Sequence, residues 1–330
     1  MKAHESILEM IGNTPMMRLR TGMPSTGPRA YVKLEYYNPT GSVKDRMTLH
    51  IIRKAMAEGR LRRGDTVIDN TSGNTGSALA MVASLFGMKA ILTTPDKTSK
   101  EKIDLIRSFG AEVIVTPTEA DHHHPDGCYM VARRLAEQHG YFHLDQYDSQ
   151  DNVEANYLST GPEIWRDSDG EITHFVAGIG TGGTLSGAAK FLKEQNPSIQ
   201  VIAVDPEGSV FADYIRDQRQ ITGRSYKIEG IGSDVITKAL HAHLVDEVIT
   251  VSDKDAFNRA RLIARAEGIS AGGSSGAVAC AIEQVAKSAG DDAVILGIFA
   301  DAGIRYLSKC YNDEWMRQQG FLPASQEVSA

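Results

Sequence analysis

Asn38-Pro39-Thr40-Gly41-Ser42-Val43-Lys44-Asp45-Arg46 is the stretch around which the rest of this chain is arranged. Pro39, Gly41 and Ser42 are turn formers. Met47, Leu49, Ile51, Ile52 and Ala55 then continue as a helix-compatible run. The turn fixes one lysine at the start of a helix. Most lysines are solvated surface charges, so Lys44 acquires meaning only if the remaining chain builds a site around it.

Downstream, apolar strand and amphipathic helix alternate. Thr66-Val67-Ile68 reads as a strand, Ser77–Phe86 as a helix closed by Gly87, and Lys89–Thr94 as a strand. Thr98-Ser99-Lys100-Glu101 matches a capping box opening a helix with Ile103, Ile106 and Phe109, and Gly110 stands where a C-terminal glycine belongs. Glu112–Thr116 is a further strand. Upstream lie a short helical start (Ile7, Leu8, Met10, Ile11), a turn at Gly12-Asn13-Thr14-Pro15 and a strand at Ala30–Leu34. Beyond a polar separator at Gln146–Asn156, strands are expected at His174–Ala177, Gln200–Asp205, Asp246–Val251 and Ala293–Phe299. Helices run on towards Gln195, after Ser252 with Asp255 as cap, and through Ala277–Lys287; Pro323–Ala330 reads as a loose tail. Such alternation predicts an α/β chain with parallel sheets flanked by helices.

The chain has 330 residues, beyond the ~250–300 at which a single core stops growing. Two domains sharing an interface are therefore expected. A net charge of −7, from 35 basic and 42 acidic side chains, argues against a nucleic-acid or anionic-membrane partner. No apolar run approaches the ~20 residues that span a bilayer, and Met1–Leu8 lacks a secretory pattern. Cys128, Cys280 and Cys310 are scattered and odd in number, which suits a reducing, cytoplasmic location without disulfides. Cys280, inside an apolar run, is expected in the core. His122-His123-His124 are adjacent, do not converge on one ion unaided, and read as a solvated loop; no metal site is expected.

Three small-residue loops join strand-like to helix-like segments: Thr71-Ser72-Gly73-Asn74-Thr75-Gly76, Gly178–Thr184 and Gly272–Gly276. Backbone N–H groups at an unobstructed helix N-terminus bind anions. Gly178, Gly180 and Gly183 fit G-x-G-x-x-G, and Asp205 follows where a dinucleotide-binding enzyme keeps its ribose acid. That permits an NAD-dependent oxidoreductase. Against it, Thr181 and Thr184 place hydroxyls beside the amides, as suits a terminal phosphate, and the Thr71–Gly76 loop would be left without a role.

Taken in order, Ile11–Pro15, Pro39–Arg46, Thr71–Gly76, Gly180–Thr184 and Gly272–Gly276 resemble the cysteine synthase/cystathionine β-synthase family. These are pyridoxal-phosphate enzymes of fold type II, and the resemblance runs from about Ile7 to Leu322. It implies two domains, each with a twisted, mostly parallel sheet: residues 40–147 as a smaller, mobile domain, and 1–39 with 148–330 as the cofactor-binding domain. By the same resemblance Lys44 carries the Schiff base to pyridoxal 5'-phosphate. Gly180, Thr181, Gly182, Gly183 and Thr184 cradle its phosphate, Asn74 bonds its ring oxygen and Ser274 faces its pyridine nitrogen. Thr71, Ser72, Thr75 and Gln146 hold the substrate carboxylate, and Gly230-Ile231-Gly232 forms a flexible loop near the substrate amine.

The implied reaction is β-replacement on L-serine or O-acetyl-L-serine through an aminoacrylate, with homocysteine or sulfide adding. A homodimer acting on small amino acids is expected, and a catalytically retired relative is a further reading. Lys97–Ile106, Gln146-Tyr147, Asp205–Ser209 and the ending Trp315–Leu322 resemble the cystathionine β-synthase branch more closely, while Thr160–Trp165 resembles cysteine synthase. Starting and ending at the catalytic core implies neither a haem segment nor adenosyl-type regulation. Ser233, Asp69-Asn70 and Ala300–Gly303 depart from the family pattern. Altered pocket edges there allow an amine nucleophile, as in 2,3-diaminopropionate synthesis.

Overall fold

The computed structural model describes residues 3–323 apart from Ser72, Lys97, Asp121, His122 and the side chain of Glu101. The expectations for Ser72, Lys97, His122 and the tail beyond residue 323 lie outside the described residues.

In chain order the elements are β1 (Met16–Leu19), β2 (Arg29–Leu34), α1 (Lys44–Ala57), β3 (Thr66–Asn70), α2 (Asn74–Leu85), β4 (Lys89–Pro95), α3 (Lys100–Ser108), β5 (Glu112–Thr116), α4 (Cys128–His139) and β6 (Phe142–His143). The second half adds α5 (Gln150–Leu158), α6 (Thr160–Asp167), β7 (His174–Gly178), α7 (Gly183–Gln195), β8 (Gln200–Pro206), α8 (Phe211–Asp217), β9 (Glu247–Val251), α9 (Asp253–Glu267), α10 (Gly273–Ser288), β10 (Val294–Phe299) and α11 (Asp313–Gln318).

Two sheets form, ordered β1-β2-β10-β7-β8-β9 and β5-β4-β3-β6. All neighbours are parallel except β1, which runs antiparallel to β2. Residues alternate between the faces of the larger sheet, as a period of two requires. Ile202 and Val204 pack with α9 and α10 through Phe257, Val278 and Ile282. Val201 and Ala203 pack on the opposite side with Leu185, Leu192 and Phe211. The smaller sheet buries Val67 and Leu92 against α1 and α2, and Ile68 against Ala132 and Ala136 of α4. Glycine lets α9 and α10 touch closely: a Cβ on Gly276 would lie 2.0 Å from Ala256 O.

Each sheet has one place where the strand order reverses. The chain leaves β7 for β8 and β9 on one side but places β10 on the other; likewise β3 is followed by β4 and β5, with β6 on its far side. The loops after β7 and β3 are therefore at topological switch points, where open α/β sheets bind ligands beyond the carboxyl ends of their strands. They are the 178–182 and 71–73 loops.

Several local expectations need correction. The start is a single 3-10 turn, Ile7–Met10, capped by the Ser6 hydroxyl. The helix at 100 begins after Ser99, whose side chain makes no capping bond, and Thr98 instead pairs with the Thr94 hydroxyl at 2.7 Å. The polar stretch at 146–156 is not loop throughout: most of α5 lies in it, and the inward face of that helix includes the polar Asn152 and Asn156. Helix α4 escapes sequence reading because small alanines make its inner face. Ser252 does cap α9, accepting from Asp255 N at 3.1 Å. Cys310 is buried, but Cys280 is only half-buried, and all three thiols are free. Among the described residues no helix is long and apolar enough to cross a membrane.

Candidate active site

Lys44 is the first residue of α1, and the turn before it is tightly held. Gly41 adopts φ +77°, a conformation that favours glycine. Buried Asp45 accepts from Thr40 N at 2.7 Å and from the Thr40 hydroxyl, while Arg305 donates to Thr40 O. Burial pushes the Asp45 carboxyl up to about 6, against the pull of Thr40. Val43 N donates to Ala300 O at 2.9 Å, fixing the turn to the end of β10. Burial also holds the Lys44 ammonium below the usual lysine range, with the Asp301 charge opposing it. A buried amine is thereby brought closer to its nucleophilic, neutral form.

Lys44 lines a cleft with Gly180, Thr181, Gly182, Thr184, Gly230 and Ser274. Thr184 follows Gly183 in the first turn of α7, whose leading N–H groups have no partner within the helix. The glycines are demanded by what packs behind them. A Cβ would lie 2.4 Å from Gly230 O at Gly180, 2.7 Å from Leu240 Cα at Gly182 and 2.1 Å from Asn152 Oδ1 at Gly183. Ser274, a neutral hydroxyl, stands in the first turn of α10. No carboxylate is among the described residues lining this cleft. One amine, a helix N-terminus and hydroxyls make a donor set that suits a phosphate ester bearing a reactive carbonyl.

The second switch-point loop forms a connected group beside the first. The Thr71 hydroxyl accepts from Gly73 N at 3.0 Å and Gly76 N at 3.3 Å. Thr75 donates to Gln146 Oε1 at 2.6 Å, and Gln146 Nε2 donates to Asn70 O at 2.8 Å. Asn74 Nδ2 donates to Asp301 Oδ2 at 2.7 Å, while Asn74 Oδ1 is buried without a protein partner. An orphaned acceptor at the first residue of α2 fits a ligand that supplies a donor. Gly183 and Gly232 adjoin the lining residues Gly182, Thr184 and Ile231, and Gly232 N donates to Ile179 O at 2.6 Å.

Sequence reading missed the residues that join these groups. Asn152, 1% exposed, donates through Nδ2 to Gln146 O at 2.8 Å and to Thr181 Oγ1 at 2.9 Å. One side chain thus ties the glutamine of the small-sheet loop to the threonine of the other cradle. The Thr237 hydroxyl holds Thr181 O at 2.8 Å. Arg46, two residues past Lys44, bonds Glu35 at 2.6 Å and Glu163 at 2.7 Å. Asn13 N donates to Glu163 Oε1 at 2.9 Å, and the Thr14 hydroxyl to Glu35 Oε1 at 2.7 Å. The Gly12–Thr14 motif is therefore a clamp on the start of α1. The sequence marks Ile11–Pro15 and Pro39–Arg46 as motifs, but nothing in it pairs them with Glu35 and Glu163.

Other expected positions lie elsewhere. Ala300, not Ala302, lines the cleft. Ser233 is buried behind it, its hydroxyl accepting from Val235 N at 3.0 Å and its amide donating to Ser209 Oγ at 3.1 Å. Asp205 is buried, and its Oδ2 accepts from Ala212 N at 2.9 Å, inside the protein's own framework.

Residues 7–301 match the family described as pyridoxal-phosphate dependent enzyme. The chain is 41% identical over 324 residues to the cystathionine beta-synthase of Apis mellifera, covering 97% of this chain and 64% of that protein. It is 40% identical over 312 residues to the cysteine synthase of Staphylococcus aureus, covering 93% of this chain and 96% of that one. The chain thus spans under two thirds of the insect relative but nearly all of the bacterial one. The crystal structure of O-ureido-L-serine synthase superposes with a TM-score of 0.87 at 34% identity, over 96% of this chain and 100% of that one. The chain belongs to the pyridoxal-phosphate dependent enzyme family, and its cofactor is pyridoxal phosphate. With that, the reading of 178–205 as a nicotinamide fingerprint falls.

Proposed function

We propose that this pyridoxal-phosphate enzyme catalyses β-replacement on L-serine or O-acetyl-L-serine, with a thiol, homocysteine or sulfide, as nucleophile. The observation that carries it is the meeting of Lys44, the Gly180–Thr184 cradle and neutral Ser274 in one cleft. When bound, the cofactor supplies the electron sink for charge developing at the substrate α-carbon.

This chain's residues do the rest. Gly180, Thr181, Gly182, Gly183 and Thr184 hold the phosphate at the α7 N-terminus. Asn74 orients the ring oxygen, and Ser274 meets the pyridine nitrogen without enforcing its protonation, which favours prompt loss of a β leaving group over a long-lived carbanion. Thr71, Ser72, Thr75 and Gln146 orient the substrate carboxylate at the positive end of α2, with Gly230 and Gly232 beside its amine. Lys44 Nζ, as a free amine, would take the α-proton; burial that depresses its basicity matches it to that task. Residues 40–147 act as the smaller, mobile unit, and the working form is a cytoplasmic homodimer.

A second reading replaces the thiol with an amine, giving a 2,3-diaminopropionate-type product. Its support is the close superposition on O-ureido-L-serine synthase, whose named product carries no sulfur at the β-position, together with Asn70, whose Oδ1 is buried and unpartnered next to Thr71. The deciding experiment loads the protein with cofactor, supplies serine or O-acetylserine, and offers sulfide, homocysteine and amine nucleophiles in turn. A visible band lost in Lys44→Ala and a replacement product are expected. A colourless wild-type protein that takes up no cofactor overturns the reading.

A further inference from the structure

A chain of charges adjoins the cleft at Gly230, and none of the roles above uses it. Lys102 on α3, on the side of the smaller sheet, is 7% exposed and donates to Glu229 Oε2. Lys309, beyond β10 on the side of the larger sheet, donates to Glu229 Oε1. Glu229 immediately precedes Gly230, which lines the cleft and whose carbonyl packs against Gly180. The stem of Lys102 meanwhile covers the loop before α2: a Cβ on Gly73 would lie 3.1 Å from its Cδ and 3.4 Å from its Nζ. Its ammonium also lies 5.3 Å from the Tyr306 ring centroid, and the Tyr306 hydroxyl donates to Asp301 at 2.6 Å, the acceptor of Asn74.

One cation therefore touches both loops that flank the site. Moving α3 away from Glu229 would strand a buried ammonium, and an unpaired buried charge is strongly unfavourable. We propose that Lys102, acting through Glu229, is a positioning residue that clamps the 71–76 and 229–232 loops together over the cleft. It sets how firmly the amino-acid substrate is held and does not touch the reacting atoms. This rests on the reading of the cleft as an amino-acid site.

The test pairs kinetics with a measurement that needs no cofactor. Lys102→Met keeps the covering stem and removes the charge. It should raise KM for the amino-acid substrate about tenfold, the ratio equivalent to about 1.4 kcal/mol, with kcat within about twofold. Lys102→Arg should restore KM, and Glu229→Gln should reproduce the defect. Lys100→Met, which removes an exposed pair with Asp104 on the same helix, should do nothing. In cofactor-free protein, amide hydrogen exchange at 230–234 should quicken in Lys102→Met and Glu229→Gln but not in Lys100→Met. Unchanged exchange in the first two, or a fall in kcat at constant KM, overturns the clamp. A wild type without turnover defeats the functional reading instead, and the exchange result still decides the clamp.

Discussion

Replacing Asn152 by alanine should damage stability and cofactor binding together. In the native state its amide gives one hydrogen to Gln146 O and one to Thr181 Oγ1, in a site 1% exposed. A typical bond nets about 1 kcal/mol, and a buried acceptor left without a donor costs about 1–3 kcal/mol. Thr181 can turn its hydroxyl, so its loss is one bond; Gln146 O has no such freedom and carries the full penalty. Together these give about 3 kcal/mol, measurable by urea unfolding of cofactor-free protein. While Asn152 donates to it, Thr181 Oγ1 has its own hydrogen free for a phosphate oxygen. Losing that orientation should weaken the cofactor about tenfold, equivalent to about 1.4 kcal/mol, read by equilibrium titration of the visible band. Asn152→Asp keeps the volume but faces two acceptors and an anion site with a carboxylate, so it should bind cofactor more weakly than the alanine variant. A destabilisation below about 1 kcal/mol, or tighter cofactor binding by Asn152→Asp than by Asn152→Ala, would refute the reasoning.

Lys44→Met should stabilise cofactor-free protein near neutral pH. Because the folded-state value of Lys44 is lowered from 10.5 by burial, the unfolded chain holds the extra proton between the two values, and stability rises with pH through that window. The advantage of methionine should accordingly shrink as pH approaches 10.5, and a pH-independent difference in unfolding midpoint would count against it. Arg46→Met leaves Glu35 and Glu163 facing each other with Lys33 as the remaining nearby cation, and should cost about 3–5 kcal/mol in denaturant titrations; a cost below about 1 kcal/mol would show that the clamp is not needed. Gly180→Ala forces a Cβ to 2.4 Å from the Gly230 carbonyl, which backbone must relieve at about 1–3 kcal/mol. Weaker cofactor uptake with faster exchange at 230–232 is expected, and unaltered uptake would place the cradle elsewhere.

How much of this was legible in the sequence depends on where the signal lay. β3, β4, β7 and β8 were readable because parallel strands buried largely on both faces are continuous apolar runs, as in Val201–Val204, while β5, exposed at the sheet edge, was readable from its β-branched run Val113–Val115. Helices whose inner faces are apolar and bulky, such as α1, were readable for the same reason. α5 and α4 were not. Their buried residues are Asn152, Val153, Ala155 and Asn156 in one and Val131, Ala132 and Ala136 in the other, so hydrophobic periodicity fades where polar bonds or small residues do much of the packing. The short β1 and β6 are too brief for any period to show.

The site shows the same division more sharply. Residues near the cleft were visible because their types are unusual in place: a lysine after a tight turn, and glycines and threonines at strand ends. Those that hold them were invisible, because pairing across 29 residues, as in Asn152 and Thr181, or 117, as in Arg46 and Glu163, leaves no local pattern. The Gly178–Gly183 spacing fitted two chemistries for a related reason. Glycine there is required by Ile231, Gly230 and Asn152 packed against it, and any tight strand-to-helix loop needs the same residue. A ribose-reading acid would have to keep its carboxylate within reach of a ligand, whereas Asp205 is wholly buried and its Oδ2 is taken by Ala212 N. What separates the two chemistries is thus the partner of the acid and the presence of a second switch-point loop, joined to the first by Asn152. A glycine motif reports how closely backbone approaches backbone; only the side chains around it report what it was brought close to hold.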